Sequence, residues 1–238
     1  RESFRISGKQ LKTIFFLSIF YAATSLLLVE SYLYIPSGLA TTISFLYPIA
    51  VTLILFFGFG QRVSANTLVA ILLSFAGVFL LSFKSTSGSL DGRGLLCVII
   101  TVFTYSTYIV GMNKSCVNSL SSLVLSFYVL LFTTLFFTVN MGLQGGLESI
   151  PGIKELGSLL LLGFIPTVLS NIFLFLALKR IDSATTSLFG CMEPLTALLV
   201  GYFVFGESML WLQILGAAII IAAVLMVFLQ TFKDNSRE

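Results

Sequence analysis

The chain has 238 residues; 57% are hydrophobic, only 10% are charged, 24 are Phe, and the formal net charge is +3. A soluble domain carries charge on roughly a quarter of its residues, so a mean hydropathy of +1.05 excludes an ordinary water-soluble globule. No basic stripe with interleaved base-stacking aromatics appears, which excludes a nucleic-acid binder.

In chain order, apolar runs separated by short clusters of charge, Gly, Pro and Ser predict about eight membrane spans. Each run is long enough to cross a hydrocarbon core about 30 Å thick. Backbone groups in lipid must be satisfied internally, so the runs are read as helices, and the period-2 alternation of a barrel strand is absent. Span A (11–31) follows the basic residues Arg1, Arg5, Lys9 and Lys12, carries Tyr21 and Thr24, and ends at Glu30, an interfacial carboxylate. Span B (37–57) carries Ser44, Tyr47 and Pro48. Span C (65–83) has the small pair Ala70 and Ser74 four residues apart, a spacing that allows close helix approach. Residues 84–93 read as a linker. Span D (94–112) places Tyr105 and Tyr108 on one face, three residues apart. Span E (121–141) is followed by a Gly-rich connector at 142–156 that contains Glu148, Pro151, Lys154 and Glu155. Span F (157–178) holds Pro166, Thr167, Ser170 and Asn171, its only deep amide. Span G (183–205) holds Glu193 beside Pro194. Span H (210–230) carries the small pair Ala218 and Ala222 and leads into a tail at 231–238.

Charge asymmetry orients these spans. With the N-terminal stretch in the cytoplasm, Arg62, Lys114, Lys179, Arg180, Lys233 and Arg237 join the four leading cations inside, and only Lys84, Arg93 and Lys154 lie outside. The expectation is an integral protein of the bacterial cytoplasmic membrane with both ends cytoplasmic.

The chain also repeats itself. Residues 11–83 lie over 157–229 at a constant offset of 146, which puts Ile35, Ser37, Pro48, Phe57, Phe59 and Gly60 on Ile181, Ser183, Pro194, Phe203, Phe205 and Gly206. Spans A, B and C map to F, G and H, a displacement of five spans, and an odd displacement turns the second copy upside down. An inverted repeat in a hydrophobic chain points to a transporter. If the unit is five spans, two helices belong ahead of span A, so the expected division is a first repeat at 1–83 with three helices and a second at 94–230 with five.

These residues match a family pattern. The stretch Leu176-Ala177-Leu178-Lys179-Arg180-Ile181-Asp182-Ser183-Ala184, then Glu193-Pro194 and Gly206-Glu207, resembles the closing half of an EamA-type repeat of the drug/metabolite transporter superfamily. A looser copy runs Tyr34-Ile35-Pro36-Ser37-Gly38-Leu39-Ala40, Tyr47-Pro48 and Gly60-Gln61, and span D, with Gly94 and Tyr105-Ser106-Thr107-Tyr108, resembles the helix that opens the second repeat. The resemblance implies an all-α membrane protein of inverted five-helix repeats around a central cavity, the first repeat lacking two helices. It implies secondary active transport, with export of a small metabolite, amino acid or drug-like compound by alternating access. Import of a nucleoside-like or sugar-phosphate substrate, or a non-transporting membrane subunit, stay open. So does the choice between monomer and homodimer.

Glu193 is the leading site candidate, because an ionisable group near the centre of a span costs about 2.5–3.5 kcal/mol and should face the bundle interior or water. It is a candidate for exchanging protons as the coupling ion, or for fixing a kink. Pro48, Pro194 and Pro166 each remove a helical N–H and are expected to bend their helices. Tyr105, Tyr108, Asn171, Ser170, Thr167, Tyr47, Ser44, Tyr21 and Thr24 are candidates for a cavity lining of hydroxyls, one amide and aromatic faces that suits a small amphipathic substrate. Helix packing is the competing role for each of them. Glu207 is read as a cap on span H.

Enzyme chemistry has little to work with. There is no His, so a Ser-His-Asp triad and an imidazole metal site are ruled out. Cys97, Cys116 and Cys191 are far apart without a CxxC, and no GxxxxGK[ST] loop is present. No cofactor is expected, and membrane lipid and a small-molecule substrate are the expected partners.

Overall fold

A computed structural model describes residues 4–81, 91–143, 146, 152–206 and 210–235, with side chains described as far as 227 and at 229. Most of the 84–93 linker, residues 144–145 and 147–151 of the 142–156 connector, including Glu148 and Pro151, Glu207 and the end of the tail lie outside the described residues. The described residues are all-α, without a strand. Six helical stretches are long and apolar enough to cross a membrane: Gly8–Ser31, Ser37–Phe59, Gly92–Lys114, Ser122–Leu143, Ile153–Arg180 and Ser183–Phe205. Two shorter apolar helices, Ala65–Leu81 and Trp211–Val227, complete the eight expected runs.

We number the helices α1 (Gly8–Ser31), α2 (Ser37–Ser44), α3 (Tyr47–Phe59), α4 (Ala65–Leu81), α5 (Gly92–Lys114), α6 (Ser122–Leu143), α7 (Ile153–Gly163), α8 (Ser170–Arg180), α9 (Ser183–Gly190), α10 (Met192–Phe205) and α11 (Trp211–Asn235). Spans B and G, expected as bent helices, are each two helices. The breaks fall at the same register to within one residue: α2 and α9 end at Ser44 and Gly190, 146 apart, and α3 and α10 begin at Tyr47 and Met192, 145 apart, while the outer ends at Ser37/Ser183 and Phe59/Phe205 and the starts of α4 and α11 at Ala65/Trp211 are each 146 apart. Pro48 sits in the first turn of α3, where its missing N–H costs nothing. Gly60 (φ 63°) and Gly206 (φ 67°) close α3 and α10 in the left-handed conformation. At the first of these the N–H groups of Gly60 and Gln61 bond back to the carbonyls of Phe56 and Leu55.

Span F carries its proline in a different kind of irregularity. Between α7 and α8 the chain is π-helical over Phe164–Leu169, around Pro166. Proline cannot donate to the carbonyl of Leu162, and the Thr167 hydroxyl donates to that oxygen instead, at 3.4 Å. The π-helical register is the local accommodation of the proline.

The chain packs as two compact units, Arg1–Ala23 with Gly111–Asp182, and Thr24–Val110 with Ser183–Glu238. In the first unit Phe15 of α1 meets Phe132 edge-on at 5.3 Å and Phe136 at 5.4 Å on α6. The Asn113 amide donates to the carbonyl of Leu178, and the Lys179 ammonium donates to that of Leu120. The first serves a carbonyl in the last turn of α8, where internal donors run out, and the second a carbonyl in the connection between α5 and α6.

The second unit is organised by α4 against α11. A Cβ at Gly77 would lie 2.8 Å from the Gly216 carbonyl oxygen, and one at Gly216 would lie 2.6 Å from the Gly77 oxygen. The two backbones therefore touch, the packing mode of small residues where lipid supplies no hydrophobic drive. Ala70 and Ser74 lie on this buried face, as expected from their spacing. On α11 the expectation needs correction: Ala218 and Ala222 are exposed, and the buried stripe is Gly216, Ile220, Ala223 and Val227. Ala70, Ile71, Ala223 and Val227 close around Leu188 of α9.

Gly216→Ala should lower the thermal midpoint of the detergent-solubilised protein by an amount equivalent to about 1–3 kcal/mol, because backbone oxygen cannot rotate out of the way. Gly157→Ala, whose added methyl would meet nothing within 4 Å, should leave the midpoint unchanged or raise it slightly.

Candidate functional site

Both helix breaks belong to the second unit, and the candidate site is built where they meet. α2 and α9 are short and rich in hydroxyl residues. Thr42 donates to the Gly38 carbonyl at 2.6 Å, Ser44 to Thr41 at 2.7 Å and Ser187 to Ala184 at 2.7 Å. Such back-bonding satisfies hydroxyls that lipid cannot solvate. Ser44 is thus engaged within α2.

At the end of α9 the chain leaves α-geometry. The Cys191 N–H bonds the carbonyl of Leu188, three residues back, and the Tyr47 hydroxyl donates to the carbonyl of Ser187 at 3.0 Å. Tyr47 is 8% exposed. Its ring meets Tyr105 edge-on at 4.8 Å, and Tyr105 stacks on Tyr108 at 6.2 Å. The Ser106 hydroxyl bonds the Tyr47 carbonyl at 3.0 Å, fastening α5 to the first turn of α3. Tyr47, Tyr105 and Tyr108 do come together, but Tyr47 and Tyr108 are buried in packing, and Tyr108 is fully enclosed. Thr24 shares a 2.8 Å hydrogen bond with Thr104.

Glu193 stands in the first turn of α10. A carboxylate there lies at the positive end of the helix dipole, which lowers the cost of holding a charge in a span. Among the described residues it accepts no hydrogen bond. It opens onto a groove of about 610 Å³ along α10, lined by Glu193, Thr196, Ala197, Val200, Gly201 and Phe205. The spacing 193, 196, 197, 200, 201 is one helical face. A carboxylate at one end, Phe205 at the other and small residues between them form an amphipathic floor of the size that takes a small molecule. In the connection between α1 and α2, burial and then the Glu193 charge hold the Tyr32 phenol above its usual range. Sequence reasoning missed Tyr32 and Ser187, which carried no signal; Ser106 stood only within the Tyr105–Tyr108 motif, and Gly190 only as the residue four before Pro194 whose carbonyl loses its donor.

The other candidates form a cluster within the first unit. The Asn171 amide donates to the Tyr21 hydroxyl at 3.1 Å and to the Thr167 carbonyl at 2.8 Å, and it is 3% exposed. Its second bond serves a carbonyl of the π-helical segment. Ser170, its sequence neighbour, faces outward and is exposed. No group of three or more His, Cys, Asp or Glu that could hold a metal ion occurs among the described residues.

Comparison with known proteins agrees with this architecture. The sequence profile of the EamA-like transporter family matches residues 1–83 and 92–229. An uncharacterized transporter of Archaeoglobus fulgidus is 27% identical over 173 residues, covering 70% of this chain and 58% of that protein. The chain thus spans little more than half of that relative. A second uncharacterized transporter of the same organism is 23% identical over 226 residues, covering 94% of this chain and 79% of its own length. A crystal structure of a protein, at 15% identity, superposes with a TM-score of 0.80 over 97% of this chain and 79% of its own, which shows the likeness of fold.

Two substitutions separate support from exposure. Glu193→Gln should leave thermal stability within about 0.5 kcal/mol, since no protein donor is lost. Asn171→Leu should cost about 1–2 kcal/mol in the same melt, because it strips donors from Tyr21 and from the π-helical carbonyl.

Proposed function

The chain belongs to the EamA-like transporter family, and on that premise we propose that it is a secondary active exporter of a small amphipathic metabolite, amino acid or drug-like compound, working by alternating access. It is an integral membrane protein, and the family and its transporter relatives make a small-molecule substrate the natural cargo. The observation that carries the finer reading is the Glu193 carboxylate: it lies inside a span, beside a helix break, at the head of a groove, with no hydrogen-bond partner among the described residues.

Each feature has a use in transport. A carboxylate in low dielectric changes its proton affinity with small changes in hydration, so opening to one face and then the other loads and unloads a proton. The open face of α10 supplies an apolar floor and a single anionic end, which favours a substrate carrying a cationic or neutral polar group. A sugar phosphate would require a cation, and the groove lining contains none, which weighs against that import reading. The matched break registers of α2/α3 and α9/α10 suit two inverted halves that rock about a shared centre. In this reading both chain ends face the cytoplasm, as the charge asymmetry requires, and the protein sits in the cytoplasmic membrane.

The test is a transport screen followed by one substitution. Cells expressing the protein should gain resistance to, or secrete, particular amphipathic amines or amino acids, and inside-out vesicles should accumulate the same compound when a proton gradient is imposed. Glu193→Gln should reduce gradient-driven uptake to the passive baseline while the protein stays folded and membrane-inserted. Uptake by Glu193→Gln that remains equal to wild type would remove the coupling role.

A further inference from the structure

We propose that Tyr47 is a positioning residue for Glu193, and that Gly190 is the seat that makes this possible: together they form a fitted joint tying the break of α2/α3 to the break of α9/α10. The inference rests on the assignment of Glu193 to the transport site. Its test needs no substrate.

The joint is built from three observations. First, the Tyr47 hydroxyl reaches across to the Ser187 carbonyl at 3.0 Å in a buried setting. In an uninterrupted helix that carbonyl would accept from the N–H four residues on, but the Cys191 N–H turns back to Leu188. The tyrosine replaces the donor that the break removes, and a buried carbonyl left without one costs about 1–3 kcal/mol. Second, the fit admits no side chain at position 190. A Cβ on Gly190 would overlap the Tyr47 hydroxyl oxygen and lie 3.1 Å from the ring carbon that bears it. Gly190 has no positive φ, so its requirement is steric. Third, α5 holds Tyr47 from the other side, through Ser106 on its carbonyl and Tyr105 against its ring. Tyr47 is therefore fixed before it reaches α9.

Position decides the consequence. Ser187 and Gly190 are the last turn of α9, and Glu193 is the second residue of α10. The direction in which α10 leaves the break, and with it the aim of the carboxylate, follows from where the end of α9 is pinned. The offset of 146 places Tyr47 opposite Glu193 itself. One repeat contributes the working carboxylate, and the equivalent residue of the other holds the turn that presents it.

Cys191 is 1% exposed and adjoins Gly190, so it reports natively on the joint. The experiment is site-resolved mass spectrometry of the full chain in liposomes, measuring N-ethylmaleimide labelling of Cys191 and dicyclohexylcarbodiimide labelling of Glu193. Gly190→Ala should speed Cys191 labelling at least about tenfold, since the methyl and hydroxyl cannot coexist. Tyr47→Phe, which loses only the hydrogen bond, should speed it about three- to tenfold and change the Glu193 labelling rate at fixed pH by at least a similar factor. The double variant Tyr47→Phe/Gly190→Ala should label no faster than Tyr47→Phe, because the overlapping oxygen is gone. Cys97 and Cys116 should keep wild-type rates, which distinguishes a local joint from general loosening.

The joint is overturned if the double variant labels as fast as Gly190→Ala, if Gly190→Ala or Tyr47→Phe leaves Cys191 unchanged, or if Cys97 and Cys116 accelerate equally. Unchanged Glu193 labelling in Tyr47→Phe overturns the positioning role. Should Gly190→Ala fail to yield folded protein, recovery of a monodisperse double variant supports the joint, and failure of both overturns it. A wild-type Glu193 that never reacts would instead count against the transport-site assignment, which the Cys191 rates do not depend on.

Discussion

A bilayer has no water to offer a broken helix. Wherever α-geometry is interrupted inside a span, carbonyls lose their N–H partners and must find others within the protein, at about the cost of an unmade buried hydrogen bond each. Among the described residues three spans are interrupted, and at each a named side chain or backbone group meets a freed carbonyl. The Ser187 carbonyl is met by the Tyr47 hydroxyl. The Leu162 carbonyl, deprived by Pro166, is met by Thr167, while Asn171 turns back to Thr167 and out to Tyr21. The third break, between α2 and α3, is closed by the chain itself, with the N–H groups of Phe45 and Leu46 bonding the carbonyls of Thr41 and Ile43. Polar residues that a sequence reader assigns to a cavity are in several cases the means by which irregular backbone survives in lipid.

The repairs are what let a break stand inside a span. A continuous helix through residues 183–205 would carry Glu193 on its flank with no dipole to ease the charge. The break gives Glu193 a helix N-terminus of its own, as half-helices do for charged groups near the middle of membrane transporters. The packing of α4 against α11 is of a different kind. There the Gly77 and Gly216 backbones touch. Close backbone contact of this sort resists deformation, because the atoms in contact have no rotamers to change. The second unit thus combines a firmly packed helix pair with a jointed pair of broken helices.

Much of this was legible in the sequence, for reasons that can be named. Span number and approximate bounds follow from lipid thickness and hydropathy, which act on each run independently of its neighbours. Gly60 and Gly206 were legible as a matched pair of the repeat, and the structure makes both of them left-handed caps, which glycine takes without strain. Ala70 and Ser74 were read correctly as a packing face. Ala218 and Ala222 were not: two small-residue stripes of similar spacing compete on α11, and the stripe that is buried is decided by Gly216 meeting Gly77, a partner that hydropathy cannot identify. Tyr105 and Tyr108 were placed on one face by helical period, yet whether that face meets a cavity or another helix depends on α3. Glu193 stood out because charge within a span is expensive wherever it occurs.

By itself, the sequence determined an all-helical membrane protein, the positions of its spans, a repeat whose registers coincide with the helix breaks, and one intramembrane carboxylate. These depend on the solvent and on local backbone chemistry, which every residue carries with it. Only the tertiary structure decided that the proline sites are helix breaks or a π-helical segment, that Tyr47 is buried with its hydroxyl on Ser187, that Gly190 must be bare, and that Glu193 opens onto a groove while Tyr108 is enclosed. Those outcomes depend on which carbonyl loses its donor and which side chain from a distant helix arrives to replace it, and that pairing exists only once the helices are packed.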